Sequence, residues 1–483
     1  MDVRRFIRFY LNGTLCEVAP VSATQTVLQY LREELKLTGT KEGCNEGDCG
    51  ACTVTEASLG PDGQVSFQAI NACIRFLPTL DGKAIWTVEA LEQDGAPHPV
   101  QQAMIDYHGS QCGFCTPGFI MSMYTMYQNG KVRPVREEVL DALSGNLCRC
   151  TGYRPIIDAA CNMDAYPAVS LDREALREQL LALRQSSGGM LAFEAGGQSY
   201  FAPTHADELA ELYERYPDAV VLAGGTDVGL WVTKQLKTLP VVIYLGDIAE
   251  LDYIESRDGV LNIGAVVSLN EGYEAITEQY PEIRELWKRF ASTPIRNSGT
   301  LVGNLANGSP IGDTAPLLIA IGSTVVLRKG ARRRRLPLED LYLDYRKQDR
   351  EPGEFVESVM VPLRDPECQV ASYKLSKRID QDISAVCSAY AIKLDQGKVA
   401  SVRIAHGGMA ATSRRARRAE HALLGRDWTE ATVAEAMRAL DDDYQPMTDM
   451  RASDDYRRKS ARNLLYRFYL ESTGQADARI PGF

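Results

Sequence analysis

Cysteine placement constrains this chain more than any other feature. Of 12 cysteines in 483 residues, ten fall between Cys16 and Cys161, and only Cys368 and Cys387 lie beyond. The front third reads Cys44-x4-Cys49-x2-Cys52 with Cys73 further on, then Cys112-Gly-Phe-Cys115 and Cys148-Arg-Cys150. Met1–Arg8 is charged and has no apolar stretch with a small-residue cleavage site, so no secretory signal is expected. No run of about 18 apolar residues occurs, so no transmembrane helix is expected either. The expected location is the cytoplasm, where disulfides are rare and grouped thiols point to metal.

A C-x4-C-x2-C run with one distant cysteine suits a 2Fe–2S cluster. Gly43, Gly47 and Gly50 interleave with Cys44, Cys49 and Cys52. They allow a tight loop whose N–H groups face the cluster sulfurs. The alternative is a zinc site or buried structural thiols. Zinc favours paired C-x2-C units, and the x4 gap with its glycines favours iron–sulfur. Taken alone, Cys112, Cys115, Cys148 and Cys150 fit zinc or a second cluster. Cys115 precedes a helix opened by Pro117, and Cys150 one opened by Pro155; helix N-termini stabilise thiolates. Cys16, Cys161, Cys368 and Cys387 are read as ordinary buried thiols.

The length suggests about three domains. A formal net charge of −11, from 64 acidic and 53 basic residues, argues against nucleic acid or an anionic membrane as partner. Phe6–Leu11 reads as a strand, Asn12-Gly13 as a hairpin turn, and Ala23–Leu35 as a helix. Further strands are expected around Thr53 and over Val65–Ile70. Helices are expected after Pro99, Pro117 and Pro155. An amphipathic stretch, Asp172–Arg184, leads into a linker at Ser186–Gly189. From Leu191 to Pro362 strands and helices alternate. A hairpin is expected over Ser384–Leu394 and Val399–Ala405, and helices near Glu430–Leu440 and Asp454–Leu470.

Two glycine loops stand out: Val221-Leu222-Ala223-Gly224-Gly225-Thr226-Asp227, which follows an expected strand, and Gly299-Thr300-Leu301-Val302-Gly303. Neither fits G-x-G-x-x-G, so a Rossmann site is not supported. Both could cradle a pyrophosphate on backbone N–H groups, although glycine turns are common in α/β folds. The run Arg332–Arg335 is read as a solvated hairpin turn.

The stretches Gly39–Cys52, Gly109–Gly118 and Gly145–Pro155 resemble the cluster motifs of the xanthine dehydrogenase family. The resemblance runs from about Arg5 to the end of the chain. It implies an α+β multidomain fold: a plant-type ferredoxin-like β-grasp domain (1–84), a helical 2Fe–2S domain (85–165) and a linker (166–190). An α/β FAD-binding domain of the carbon monoxide dehydrogenase flavoprotein type (191–365) and an α+β C-terminal domain (366–483) follow. Both cysteine quartets then bind 2Fe–2S clusters. FAD is implied at Val221–Val228, Phe290, Gly299–Gly303, Asp313, Val356 and Lys374. Gln111 matches a glutamine that contacts the pterin; the alternative is a helix-flanking polar residue. The segment Lys374–Ile383 matches a loop bordering the flavin, with Gln381 where mammalian members have aspartate. Because the chain stops at Phe483, the molybdopterin domain is expected on a partner, a large subunit joined as a dimer of heterodimers. This chain then relays electrons from xanthine or hypoxanthine oxidation to FAD and NAD, and no catalytic residue for substrate oxidation lies in it. The alternatives are the equivalent chain of an aldehyde or other heteroaromatic hydroxylase, or a zinc-stapled binding scaffold.

Overall fold

Ile7, Phe9 and Leu11 point into one core from the strand Ile7–Leu11, alternating with less buried neighbours as a half-buried strand must. Asn12 and Gly13 both take positive φ, 52° and 81°, and turn the chain into the antiparallel strand Thr14–Val18. The structure, a computed structural model, describes residues 3–186 and 188–475. Met1 and Asp2 of the expected chain start, Ser187 of the expected linker and residues 476–483 of the expected C-terminal domain lie outside the described residues. The chain divides into two units: Met1–Glu250 with Ala291–Gly299, and Leu251–Phe290 with Thr300–Phe483.

In the first unit, Ala84–Trp86, Thr53–Leu59 and Val65–Asn71 complete a mixed five-stranded sheet beside Ile7–Leu11. The helix expected from Ala23 is shorter. Thr26 and Gln29 bond reciprocally to cap Val27–Gln29, which passes into a π-helical turn, Tyr30–Glu34. The residues before it are held elsewhere: the hydroxyls of Ser22 and Thr24 bond to Gln198, and such side-chain bonds compete with helix. The helical part holds Pro99–Asp106, Thr116–Gln128, Arg136–Ala142 and Arg154–Cys161. Prolines open three of these, as the sequence implies. Arg136–Ala142 has no apolar stripe to announce it, with only Val139 buried.

The helix Arg173–Ser186 buries Leu176, Leu180 and Leu183. Arg177 Nε donates to the Gly63 carbonyl at 2.9 Å, and the Arg173 guanidinium lies 5.0 Å from the Phe67 ring centre. The stretch before Gly188 is thus a docked helix. A second five-stranded sheet follows, ordered Val3–Arg4, Met190–Ala195, Gln198–Ala202, Val241–Tyr244, Val220–Leu222. Its first strand comes from the chain start and pairs in parallel with Met190 and Leu191.

The second unit holds an antiparallel sheet of Ile254–Arg257, Val260–Gly264, Phe355–Pro362, Thr324–Lys329 and Arg332–Pro337. The arginine run therefore lies in a strand, and the turn falls at Gly330 and Ala331. The reason is charge: Glu357 pairs with Arg328 and Arg333, Glu354 and Asp349 with Arg334, and Glu351 with Arg332. Beyond it, Cys368–Leu375, Val386–Asp395, Lys398–Gly407 and Arg414–Arg415 form a four-stranded sheet. Gln396 and Gly397, both at positive φ, make the expected hairpin turn. The helices Glu430–Asp443 and Asp454–Ser472 contribute to the core packed on this sheet.

His406 sits in that core, fully buried, with Nδ1 3.1 Å from the Tyr444 hydroxyl and Nε2 3.4 Å from that of Tyr390. Burial pushes its pKa down to about 3, whereas an unfolded histidine titrates near 6.5. The unfolded state therefore binds the extra proton first. The stability contributed by neutral His406 is complete above about pH 6.5 and falls as pH drops toward 3, by about 1.4 kcal/mol per pH unit. His406→Gln should flatten that limb of a denaturation-versus-pH profile; an unchanged slope would show that His406 does not set it.

Candidate functional site

Thiols make clusters only if the backbone brings them together unprotonated. Here they meet in pairs: Cys44 with Cys49, Cys52 with Cys73, Cys115 with Cys148, and Cys112 with Cys150. Cys44 also reaches Cys73. None is in a disulfide. The Asp48 and Cys49 N–H groups each donate to Cys44 Sγ at 3.3 Å, and the Cys44 N–H donates to Cys49 Sγ at 3.3 Å. Gly47 and Gly50 take φ of +78° and +68° to shape this loop. A Cβ on Gly43 would lie 2.7 Å from Cys49 Sγ. In the second set Thr151 donates to Cys148 Sγ from its hydroxyl at 3.1 Å and from its N–H at 3.4 Å.

These contacts separate the thiol pKa values. The hydrogen-bonded Cys49 thiol holds Cys44 far below the ordinary range, and the Cys73 thiol lowers Cys52, both against burial. The same shared protons, with burial, push Cys49 and Cys73 up. Burial pushes Cys115 up to about 12, with the Cys148 thiol adding to it. Burial opposes ionisation of Cys148 too, yet Thr151 and the Cys150 N–H keep it below the usual value. The bond to the Cys112 thiol raises Cys150.

Among the described residues, no three His, Cys, Asp or Glu side chains gather as a single-ion site. A 2Fe–2S cluster asks for something else: four thiolates, two on each iron, with N–H groups facing its sulfurs. Paired thiols ringed by amide donors fit that demand. Cys115 directly precedes the helix Thr116–Gln128, as the sequence implies, without a side-chain capping bond to it. Cys16, Cys161 and Cys368, expected to be buried, are only half-buried, while Cys387 is buried as expected.

The two cysteine loops touch. The Leu147 N–H donates to the Cys49 carbonyl at 3.0 Å, and Asn146 Nδ2 donates to the Gly50 carbonyl at 3.1 Å. A Cβ on Gly50 would overlap the Gly145 carbonyl, and one on Gly118 the Gly50 carbonyl. Leu147 adjoins Cys148, so one backbone hydrogen bond ties the two cysteine sets together. Sequence spacing gives no sign of this contact.

The glycine loop after Val220–Leu222 lies in the first unit, as does Gly299. Gly224 packs so closely on Ser298 and Gly299 that no Cβ fits there, and Gly225 needs φ +76°. The two loops expected to serve a pyrophosphate thus meet at Gly224 and Gly299. In the second unit the Thr300 hydroxyl caps the helix Leu301–Asn307 through the Gly303 N–H, and Leu301 and Val302 are buried. Asp313 is buried, with Lys374 Nζ at 2.5 Å on one carboxylate oxygen and the Ser384 hydroxyl at 2.5 Å on the other. Phe290 lies beside Tyr273, ring centres 5.7 Å apart, and Val356 is buried on Phe355–Pro362. Arg289 and Ser384 are additions that the sequence did not signal. Arg289 donates to the carbonyls of Lys374 and Ile379, both at 2.9 Å, and holds the segment Lys374–Ile383. In that segment Asp382 accepts the N–H groups of Lys377 and Arg378. They hold its carboxyl below the usual range despite burial.

Comparison with known proteins agrees with this geometry. Residues 9–75 match the 2Fe-2S iron-sulfur cluster binding domain and residues 87–161 the [2Fe-2S] binding domain. Residues 192–364 match the FAD binding domain in molybdopterin dehydrogenase, and residues 371–472 the CO dehydrogenase flavoprotein C-terminal domain. Xanthine dehydrogenase of Emericella nidulans is 33% identical over 98% of this chain, and aldehyde oxidase 1 of Bos taurus 30% over 96%. The chain spans 39% of the length of each. A carbon monoxide dehydrogenase structure from Hydrogenophaga pseudoflava matches at 27% identity and a TM-score of 0.54, over 58% of this chain and 98% of that one. These domains define an iron–sulfur flavoprotein that binds two 2Fe–2S clusters and FAD. The chain belongs to the molybdenum hydroxylase family.

Proposed function

We propose that this chain is the electron-transfer part of a xanthine dehydrogenase of the bacterial two-chain kind. In this reading it works with a molybdopterin-binding large subunit, as a dimer of heterodimers in the cytoplasm. The clusters and FAD supply one-electron and hydride chemistry when bound, and the chain sets their spacing, ionisation and access. Xanthine or hypoxanthine is oxidised on the partner, and no side chain here acts on it. The observation that carries the relay is the Leu147 N–H to Cys49 carbonyl bond, which ties the two cysteine loops together. Thiolate character at Cys44, Cys52 and Cys148 readies both sites for iron.

The face around Cys112 and Cys150 supports entry of electrons there. Both thiols are exposed, and Phe114, between Cys112 and Cys115, is 49% exposed. The Asp313–Lys374 pair and the Val221–Val228 loop are the proposed FAD contacts, together with Phe290, Gly299–Gly303 and Val356. NAD is the proposed final acceptor. Asp382, bonded to the Lys377 and Arg378 N–H groups, restrains the shape of its own loop.

Aldehyde oxidation is the second reading, favoured by the aldehyde oxidase relative. The zinc-stapled scaffold loses its support, since both cysteine regions match 2Fe–2S domains. Mixing the chain with the molybdenum subunit should yield xanthine-dependent NAD reduction that neither gives alone. Turnover with aldehydes but not xanthine would favour the second reading.

A further inference from the structure

We infer that the backbone carbonyl of Ile74 is the contact through which electrons leave the Cys44/Cys49/Cys52/Cys73 site for the flavin loop, and that Gly229 is glycine to let that carbonyl approach. The inference rests on the reading above, that cluster and flavin exchange electrons. Ile74 directly follows Cys73 and is 4% exposed. Its side chain faces the cysteine loop: a Cβ on Gly47 would lie 2.6 Å from Ile74 Cδ1 and 3.0 Å from Ile295 Cδ1. Its carbonyl and the base of its side chain lie against Gly229. A Cβ on Gly229 would lie 2.7 Å from the Ile74 oxygen and 2.8 Å from Ile74 Cβ.

Gly229 belongs to the helix Val228–Thr233, which continues the Val221–Val228 loop. Gly225, in the loop itself, comes within 3.8 Å of the same oxygen when given a Cβ. One residue therefore joins a cysteine ligand by a peptide bond and packs backbone to backbone on the flavin loop. Tunnelling falls steeply across gaps and less steeply along bonded, packed atoms, so such a contact favours transfer. Ile74 and Gly229 are positioning residues: they touch neither substrate nor reacting atoms. Nothing in a glycine of a short helix requires this closeness, since a Cβ there is normally accommodated. The backbone approach on Ile74 is what forbids it.

The test uses the full chain with its cofactors, reducing the flavin photochemically and following electron arrival at the plant-type cluster by rapid-freeze EPR. Gly229→Ala should keep iron, sulfide, FAD and both cluster signals. Its flavin-to-cluster transfer should slow several-fold, because the added Cβ must push the Ile74 carbonyl away and open a gap in the packed path. Ile74→Ala, which keeps the carbonyl, should transfer at the parent rate. Parent-like transfer in a fully loaded Gly229→Ala chain would overturn the inference, as would a slowing in Ile74→Ala equal to that in Gly229→Ala. If Gly229→Ala does not fold, pulsed EPR on the parent decides. The flavin must lie nearer the plant-type cluster than the other, and the reverse order overturns the inference. Absence of any transfer in the parent would instead refute the relay reading itself.

Discussion

Cys148→Ser should yield a folded chain with about half the parent's iron and acid-labile sulfide, since each cluster holds two irons and two sulfides. Cys148 pairs with Cys115 and is the thiol that Thr151 holds low, so its loss removes a thiol already drawn toward ionisation. The Cys44/Cys49/Cys52/Cys73 site should survive, because its thiols are bonded to one another and to its own loop. EPR of the reduced variant should show one cluster signal near normal and the other gone. Coupled turnover with the molybdenum subunit should vanish, while NADH oxidation with an artificial acceptor persists. Loss of both signals together would show that the loops, joined at Leu147 and Cys49, cannot be loaded independently.

Gly225→Val should remove FAD and leave the iron. Gly225 has φ +76°, and a β-branched residue there costs about 1–3 kcal/mol in backbone strain. The loop would relieve that strain by moving from the geometry that offers its N–H groups. Gly224→Ala should be harsher, because the new Cβ would overlap the Ser298 carbonyl, and such overpacking costs about 1–3 kcal/mol or more. Flavin absorbance against iron content, on purified protein, reads both variants. Full FAD in a folded Gly225→Val chain would show that the loop is not a phosphate cradle.

Cysteine spacing made the cluster sites legible because most of their geometry is local. Cys44, Cys49 and Cys52 share one loop, and the glycines needed to shape it lie between them. The prolines at helix starts, the Asn12-Gly13 turn and the hairpin over Ser384–Leu394 and Val399–Ala405 were legible for the same reason. What was hidden depends on distance. The strand Val3–Arg4 pairs with residues nearly two hundred positions away, and no pattern in two residues can announce that. The arginines of Arg332–Pro337 became a strand because Glu351, Glu354 and Glu357 return to neutralise them. The Ala23–Leu35 helix lost its first turn because Ser22 and Thr24 bond to Gln198. In the flavin region the glycine loops were visible, but the Gly224–Gly299 contact, the Arg289 clamp and the Ser384 bond to Asp313 all arise from long-range packing.

The relay is tested most directly on the loaded chain by itself, titrated with NADH without oxygen while EPR follows both clusters. Hydride enters at FAD in this account, and the contacts at Ile74–Gly229 and Leu147–Cys49 continue to each cysteine set in turn. Both cluster signals should therefore appear, although no molybdenum subunit is present. Flavin bleaching with neither cluster reduced, in protein whose iron and sulfide are complete, would contradict the account.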